Sequence, residues 1–263
     1  SMGYRLIAAD LDWTLLQSDG TLSPFTQDII RQCMKAGVGF TFATGRMYCS
    51  ALPFARQLQL QLPLITYQGA LLKDVSGNVM HALHLSREIA QSVEEILRKS
   101  DLHYNIYADE TMYFSTFAPR FLDYARHIGV KPVAVPKALG DIAVTQFGVF
   151  ADPEPIAQLQ QLIQQQFGDD LHTVVTNGRF LEICHPMACK SYGLDQLTRH
   201  LGIDPSDVVA IGDNHNDLDM LRYAGLGVAV ENAIPAAKAA ADRLTASNDE
   251  DGVAKLIQEL VLS

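Results

Sequence analysis

Ile7-Ala8-Ala9-Asp10-Leu11-Asp12-Trp13-Thr14-Leu15-Leu16 is a short apolar run that empties into two aspartates one residue apart, with a threonine behind them. The run reads as a strand buried on both faces, the pattern of a parallel sheet. The carboxyl end of such a strand opens into the crevice where open α/β sheets bind ligands, so Asp10 and Asp12 stand where chemistry is expected. Two carboxylates this close repel each other, and a divalent cation or a shared proton is the expected compensation. An isolated Asp-x-Asp is more often a plain turn; three later stretches argue against that here.

The first lies one β-α-β unit further on. Asp19-Gly20-Thr21-Leu22-Ser23-Pro24 is a turn with Ser23 as N-cap and Pro24 at the first helical position, and Ile29, Ile30, Cys33 and Met34 make the apolar stripe of a helix that stops at Ala36-Gly37. The next strand, Val38 to Ala43, ends in Thr44-Gly45-Arg46: a hydroxyl, a backbone that permits close approach, and a fixed cation. Beside an Asp-x-Asp strand this Thr-Gly pair reads as a phosphate seat. A helix from Met47 to Leu58, interrupted at Pro53, and a third strand, Leu64 to Tyr67, ending at Gln68-Gly69-Ala70, are expected next.

The second stretch, Lys190-Ser191-Tyr192-Gly193, opens a helix that stops at Gly202. A lysine at a helix start opposes the helix dipole, so Lys190 is either matched by a buried anion or exposed. The third follows the strand Val208 to Ile211: Gly212-Asp213-Asn214-His215-Asn216-Asp217. Asp213 and Asp217 suit a hard cation, Asn216 suits an anion or holds a neighbouring carboxylate, and His215 faces solvent.

Between these stretches the rhythm changes. A hairpin about Ser76-Gly77-Asn78 carries His81 and His84 as surface histidines, and a helix from Ser86 leads to strands His103 to Tyr107 and Met112 to Ser115. A helix from Pro119 to His127, strands Val130 to Val135 and Ile142 to Phe150, a helix from Pro153 to Phe167 and a hairpin about Asn177-Gly178 complete an α+β module. The expected organisation is therefore α/β, a doubly wound parallel (Rossmann-like) sheet built from residues 1–82 and 187–263, with an inserted α+β domain over 83–186.

Composition narrows the function. The 263 residues are 48% hydrophobic and carry a net charge of −10, which argues against a general nucleic-acid or anionic-membrane surface. No apolar run approaches the roughly 18 residues of a spanning helix, and the N-terminus lacks a secretory pattern, so a cytoplasmic protein is expected. Cys33, Cys49, Cys184 and Cys189 show no metal-binding spacing and are expected as free thiols. Ser1 ahead of Met2 has the look of a cloning remnant.

Together, Asp10-Leu11-Asp12-x-Thr14-Leu15, Ala43-Thr44-Gly45-Arg46, Lys190-Ser191-x-Gly193 and Gly212-Asp213-x-x-Asn216-Asp217 resemble, in order, the four motifs of the haloacid dehalogenase-like phosphatases, in their Cof-type branch. The insertion is similar to that branch's C2-type cap, and Asn232-Ala233 with Asn248-x-x-Asp251-Gly252-Val253 to its usual ending. The resemblance implies a Mg²⁺-dependent phosphomonoester hydrolase in which Asp10 becomes an aspartyl-phosphate and Asp12 protonates the leaving oxygen and then activates water. It implies Mg²⁺ on Asp10, the Asp12 carbonyl and Asp213, with Asn214 or Asp217 nearby. It further implies phosphoryl contacts from Thr44, the Leu11 and Gly45 amides, Lys190 and Asn216, and a cap that closes over a small phosphorylated metabolite, a sugar phosphate, a nucleotide-like compound or pyridoxal phosphate. A phosphomutase or phosphotransferase would use the same aspartate. Trp13 stands where the family has Gly, which opens the alternative of a phospholigand-binding protein with impaired turnover; Gln68 replaces the usual Asn. Oligomeric state is not legible.

Overall fold

The computed structural model describes residues 3–263; Ser1 and Met2 lie outside the described residues. The chain divides into two compact units, one of residues up to Ala82 together with Cys189–Ser263, the other Leu83–Ala188.

The first unit begins with β1 (Leu6–Ala9), wholly buried, and α1 (Pro24–Lys35). The Ser23 hydroxyl accepts from the Thr26 amide, and Pro24 occupies the first turn, where no backbone donor is needed. β2 (Gly39–Phe42) pairs parallel with β1, and α2 (Tyr48–Gln57) runs continuously through Pro53. β3 (Leu64–Thr66), β4 (Leu71–Lys73) and β5 (Val79–Ala82) form a small antiparallel sheet, tied to the end of β2 by the Ala43–Ile65 bridge. His81 is not a plain surface histidine: its Nε2 lies 2.6 Å from the Tyr192 hydroxyl and the residue is half-buried.

The second unit contains α3 (Arg87–Lys99), β6 (His103–Ala108), β7 (Thr111–Phe114), α4 (Pro119–Ile128), β8 (Val133–Ala134), β9 (Gln146–Phe150), α5 (Pro153–Phe167), β10 (His172–Thr176) and β11 (Phe180–Cys184). Its sheet order is β10-β11-β9-β6-β7-β8. Ala90, Val93 and Leu97 of α3 and Ile156, Leu159 and Ile163 of α5 meet Tyr104, Ile106, Phe147 and Val149 in one apolar cluster, the unit's core. Period-2 alternation sends His103 and Asn105 to the other side of the sheet. There the His103 ring stacks on Phe121 of α4, with centroids 3.5 Å apart.

His103 is buried with both ring nitrogens engaged, Nδ1 at 2.7 Å from Thr116 Oγ1 and Nε2 at 2.7 Å from Asn105 Oδ1. Burial, opposed by the Asn105 hydrogen bond and reinforced by Arg120, pushes its pKa down to about 4. Below the ordinary histidine value the unfolded chain takes up the proton and the folded chain does not, so this contribution is full at neutral pH and is lost as pH falls from about 6.5 toward 4. Lowering the pH from 7 to 4.5 is expected to remove about 2 kcal/mol of urea-unfolding stability from the wild type beyond the loss in His103→Gln. A wild-type advantage independent of pH would mean that His103 is charged in the fold.

The chain then returns to the first unit with α6 (Lys190–Leu201), β12 (Val208–Gly212), α7 (Leu218–Tyr223), β13 (Leu226–Val230), α8 (Pro235–Ala240), β14 (Arg243–Thr245) and α9 (Gly252–Ile257). The main sheet has the order β14-β13-β12-β1-β2, every pairing parallel. From β1 the chain moves outward to β2 on one side and, later, from β12 to β14 on the other. Right-handed crossovers in opposite directions place helices on both faces, a doubly wound α/β sheet. The reversal falls between β1 and its neighbours, which brings the loops after β1, β2 and β12 to one crevice. No helix among the described residues is long and apolar enough to cross a membrane.

Candidate active site

Asp10 leaves β1 with its amide still donating to the Ile211 carbonyl, so the sheet fixes its backbone to the last residue. Asp213 follows β12 directly, and its Oδ1 accepts from the Thr14 hydroxyl at 2.8 Å. Asp217 turns back to the same point because the loop makes a capping box: Asp217 Oδ2 accepts from the Asp213 and Asn214 amides at 2.8 and 3.1 Å. Gly212 makes room for that turn. A Cβ there would stand 2.6 Å from the Asp217 carboxyl carbon.

Gly212→Ala is therefore expected to cost about 1–3 kcal/mol of stability and to weaken divalent-cation binding, read by urea unfolding and titration calorimetry. Wild-type values for both would mean that Asp217 moves without consequence.

Lys190, at the start of α6, is fully buried, with Nζ 3.1 Å from Asp10 Oδ2 and 2.6 Å from Asp217 Oδ1. The lysine that opposes its own helix dipole is thus matched by two carboxylates. α6 comes this close because Gly69, at φ +102°, lies under it; a Cβ on Gly69 would run into the Cys189 carbonyl. Asp219 accepts from the Ser191 amide at 2.6 Å and holds the first turn of α6, a contact between stretches too far apart in sequence to be read from spacing.

Among the described residues, Asp10, Asp213 and Asp217 form a buried group whose ligand oxygens all lie within 4.8 Å of one another. Burial, then repulsion from Asp217 and Asp213, raises the Asp10 carboxyl well above the carboxylate range, against the pull of Lys190. Burial and Asp217 push Asp213 up to about 6, while Thr14 and Lys190 pull it down. Burial alone would lower the Lys190 pKa, but Asp10 and Asp217 outweigh it and leave it raised. One ammonium against three carboxylates leaves an excess of negative charge in a dry place, and the donors are all oxygen. That combination suits a hard divalent cation.

Around this cluster the other sequence-predicted residues divide. Thr44 is buried, and its Oγ1 accepts from the Arg46 amide at 3.0 Å, which leaves the hydroxyl proton to point elsewhere. Asn216 donates to Gln68 Oε1 at 3.1 Å, and a Cβ on Gly45 would stand 2.5 Å from Gln68 Nε2, so Gln68 bridges the loops after β2 and β12. The Leu11 amide donates to Asp10 Oδ1 at 2.8 Å. Of the other expected metal positions, Asn214 turns its Oδ1 to the His215 amide at 2.8 Å, and the Asp12 carboxylate pairs with Arg46, a pairing that does not involve the Asp12 carbonyl expected to meet the metal. Trp13 has φ +62°, a left-handed conformation that costs a non-glycine residue roughly 1–2 kcal/mol. The residue is 52% exposed, and its carbonyl accepts from Asn232 Nδ2 at 2.8 Å.

A sequence model described as haloacid dehalogenase-like hydrolase matches residues 7–257. The chain belongs to this family. The hydrolase is 33% identical over 242 residues to the HMP-PP phosphatase of Serratia proteamaculans, covering 89% of this chain and 86% of that protein. It is 30% identical over 267 residues to the 5-amino-6-(5-phospho-D-ribitylamino)uracil phosphatase of Bacillus subtilis, covering 97% and 96%. Among solved structures, a haloacid dehalogenase-like hydrolase from Bacteroides thetaiotaomicron superposes with a TM-score of 0.90 at 26% identity, covering 97% of this chain and 99% of that one.

Proposed function

We propose that this hydrolase is a Mg²⁺-dependent phosphatase that removes a phosphoryl group from a small phosphorylated metabolite by way of an aspartyl-phosphate on Asp10. The observation that carries the reading is the Asp10 carboxylate, fixed at the end of β1, flanked by Lys190 and set within 4.8 Å of the carboxylates of Asp213 and Asp217. A phosphatase reading also fits the two relatives, each named for a phosphorylated compound.

Mg²⁺ would be held by Asp10, Asp213 and the Asp12 carbonyl, and when bound it supplies positive charge that screens the phosphate from the nucleophile. Asp217 spends both oxygens on protein donors, Lys190 Nζ on one side and two backbone amides on the other, so it organises the site from behind. Asp10 attacks phosphorus in line with the leaving oxygen. Asp12 gives that oxygen a proton and later takes one from water. The Thr44 hydroxyl, the Gly45 amide, Lys190 and Asn216 receive the phosphoryl oxygens, whose charge grows in the transition state. The Leu11 amide joins them once the phosphoryl group draws it from Asp10 Oδ1. In this reading residues 83–186 form the cap that selects the leaving group.

The test is hydrolysis of nitrophenyl phosphate with Mg²⁺ and with EDTA, followed by a panel of metabolite phosphates. Turnover with Mg²⁺ and none with EDTA supports the reading; no turnover of any phosphomonoester by folded, Mg²⁺-loaded protein sinks it.

A further inference from the structure

We propose that Arg46 is a positioning residue for Asp12: its guanidinium holds the Asp12 carboxylate where it exchanges protons with the leaving oxygen and with water. The proposal rests on the phosphatase reading above.

Arg46 is anchored independently of Asp12. Its amide donates to Thr44 Oγ1 and its carbonyl accepts from the Tyr67 amide at 2.9 Å, so the backbone is held from both sides. Its Nη1 donates to Ser50 Oγ at 3.2 Å, and its guanidinium lies over the Phe54 ring, 5.4 Å from the centroid. The remaining edge of the fork faces Asp12, with Nε donating to Oδ2 at 2.8 Å and Nη2 to Oδ1 at 2.7 Å. The side chains are unequal: that of Arg46 is 16% exposed, that of Asp12 47%. The cation is the fixed member, and the carboxylate is the one that would otherwise turn in solvent.

A planar fork meeting both carboxylate oxygens sets orientation as well as distance, which a single contact does not. Asp12 needs that help. It is followed by Trp13 in a left-handed conformation, and apart from the fork its side chain stands half in water. The edge of Arg46 that would grip a phosphate with two bonds is already given to Asp12, so the geometry favours positioning over phosphoryl binding.

The chemistry balances on this arrangement. In the first step an Asp10 oxygen bonds to phosphorus, the bond from phosphorus to the leaving oxygen breaks, and the departing electron pair takes the proton from Asp12. In the second, a water oxygen bonds to phosphorus, Asp12 takes the water proton, and the Asp10 carboxylate departs. The proton sits on the outward lone pair of one Asp12 oxygen, so both oxygens still face the guanidinium fork while Asp12 acts.

A displaced acid hurts a poor leaving group far more than a good one, because nitrophenolate departs without a proton and an alkoxide does not. In Arg46→Ala, kcat/KM is expected to fall about a hundredfold for a simple alkyl phosphate and about threefold for nitrophenyl phosphate. Arg46→Lys keeps the charge but loses the fork, and should recover only part of the alkyl-phosphate activity. Ser50→Ala, which only loosens the guanidinium, should show the same bias at a few-fold scale and carries the test if Arg46→Ala does not fold. Equal losses on both esters, with KM raised, would overturn the proposal and make Arg46 a phosphate ligand. A wild type inert toward both esters would instead overturn the phosphatase reading and this proposal with it.

Discussion

Asp10→Asn is expected to lower phosphomonoester hydrolysis at least about 10⁴-fold while the metal-free protein melts at or above the wild-type temperature. The activity loss follows from the nucleophile: an amide oxygen at the same place does not form the acyl phosphate. The stability gain follows from electrostatics. Asp10 is buried and repelled by Asp217 and Asp213, so its folded pKa lies above its unfolded one. A raised carboxyl pKa favours the fold only below the unfolded value; as pH rises through the folded value that contribution is lost. At neutral pH without metal the carboxylate therefore burdens the fold, and an uncharged isostere relieves it. Asn also keeps an oxygen to accept from the Leu11 amide, as Asp10 Oδ1 does. A melting curve in EDTA beside the rate assay checks both halves. An inactive variant that melts well below wild type would mean that Asp10 is structural.

Lys190→Met should have the opposite effect on stability. The methylenes of Lys190 pack in a fully buried position that Met fills, but its Nζ is the cation facing both Asp10 and Asp217. Removing one partner of a buried ion pair leaves uncompensated charge, at a cost of about 3–5 kcal/mol. Here three carboxylates are left facing one another. In EDTA the variant should unfold many degrees below wild type, and saturating Mg²⁺ should recover a larger share of its stability than it adds to wild type, because the cation binds the fold and not the unfolded chain. Activity should stay down about 10³-fold even with Mg²⁺, through loss of a fixed charge beside the transferring group. Equal deficits with and without Mg²⁺ would mean that Lys190 serves packing alone.

The sequence revealed most where local chemistry and tertiary pairing agree. Ser23 and Pro24 start α1 as their side-chain chemistry requires, α5 spans Pro153–Phe167 as its periodicity predicts, and Asn177 and Gly178 both adopt the left-handed conformation of a tight hairpin. It revealed least where a strand depends on its neighbour. Val130 to Val135 shrinks to the two exposed residues of β8, and the apolar run from Ile142 becomes regular strand only at Gln146, the start of β9. β-propensity describes a residue that fits a sheet, not a sheet that is there to fit. At the site, the strand-end aspartates stood out because a parallel sheet sends its carboxyl ends to one side. The Arg46–Asp12 fork and the Gln68 bridge join residues 34 and 148 positions apart, and no spacing rule reaches that far. Lys190 was readable as a question, a cation at the wrong end of a helix; only the fold supplied the two carboxylates.

Trp13 has a use that does not depend on catalysis. It is the only tryptophan in the chain, it is half in water, and it stands one residue beyond Asp12 with its carbonyl clamped by Asn232. All indole fluorescence of the protein therefore originates three residues beyond Asp10, on the segment that leaves β1. Titration with Mg²⁺, or with vanadate in its presence, should change the intensity or colour of that emission without any attached label. Such a change would make the side chain that departs from the family's pattern an optical reporter of binding.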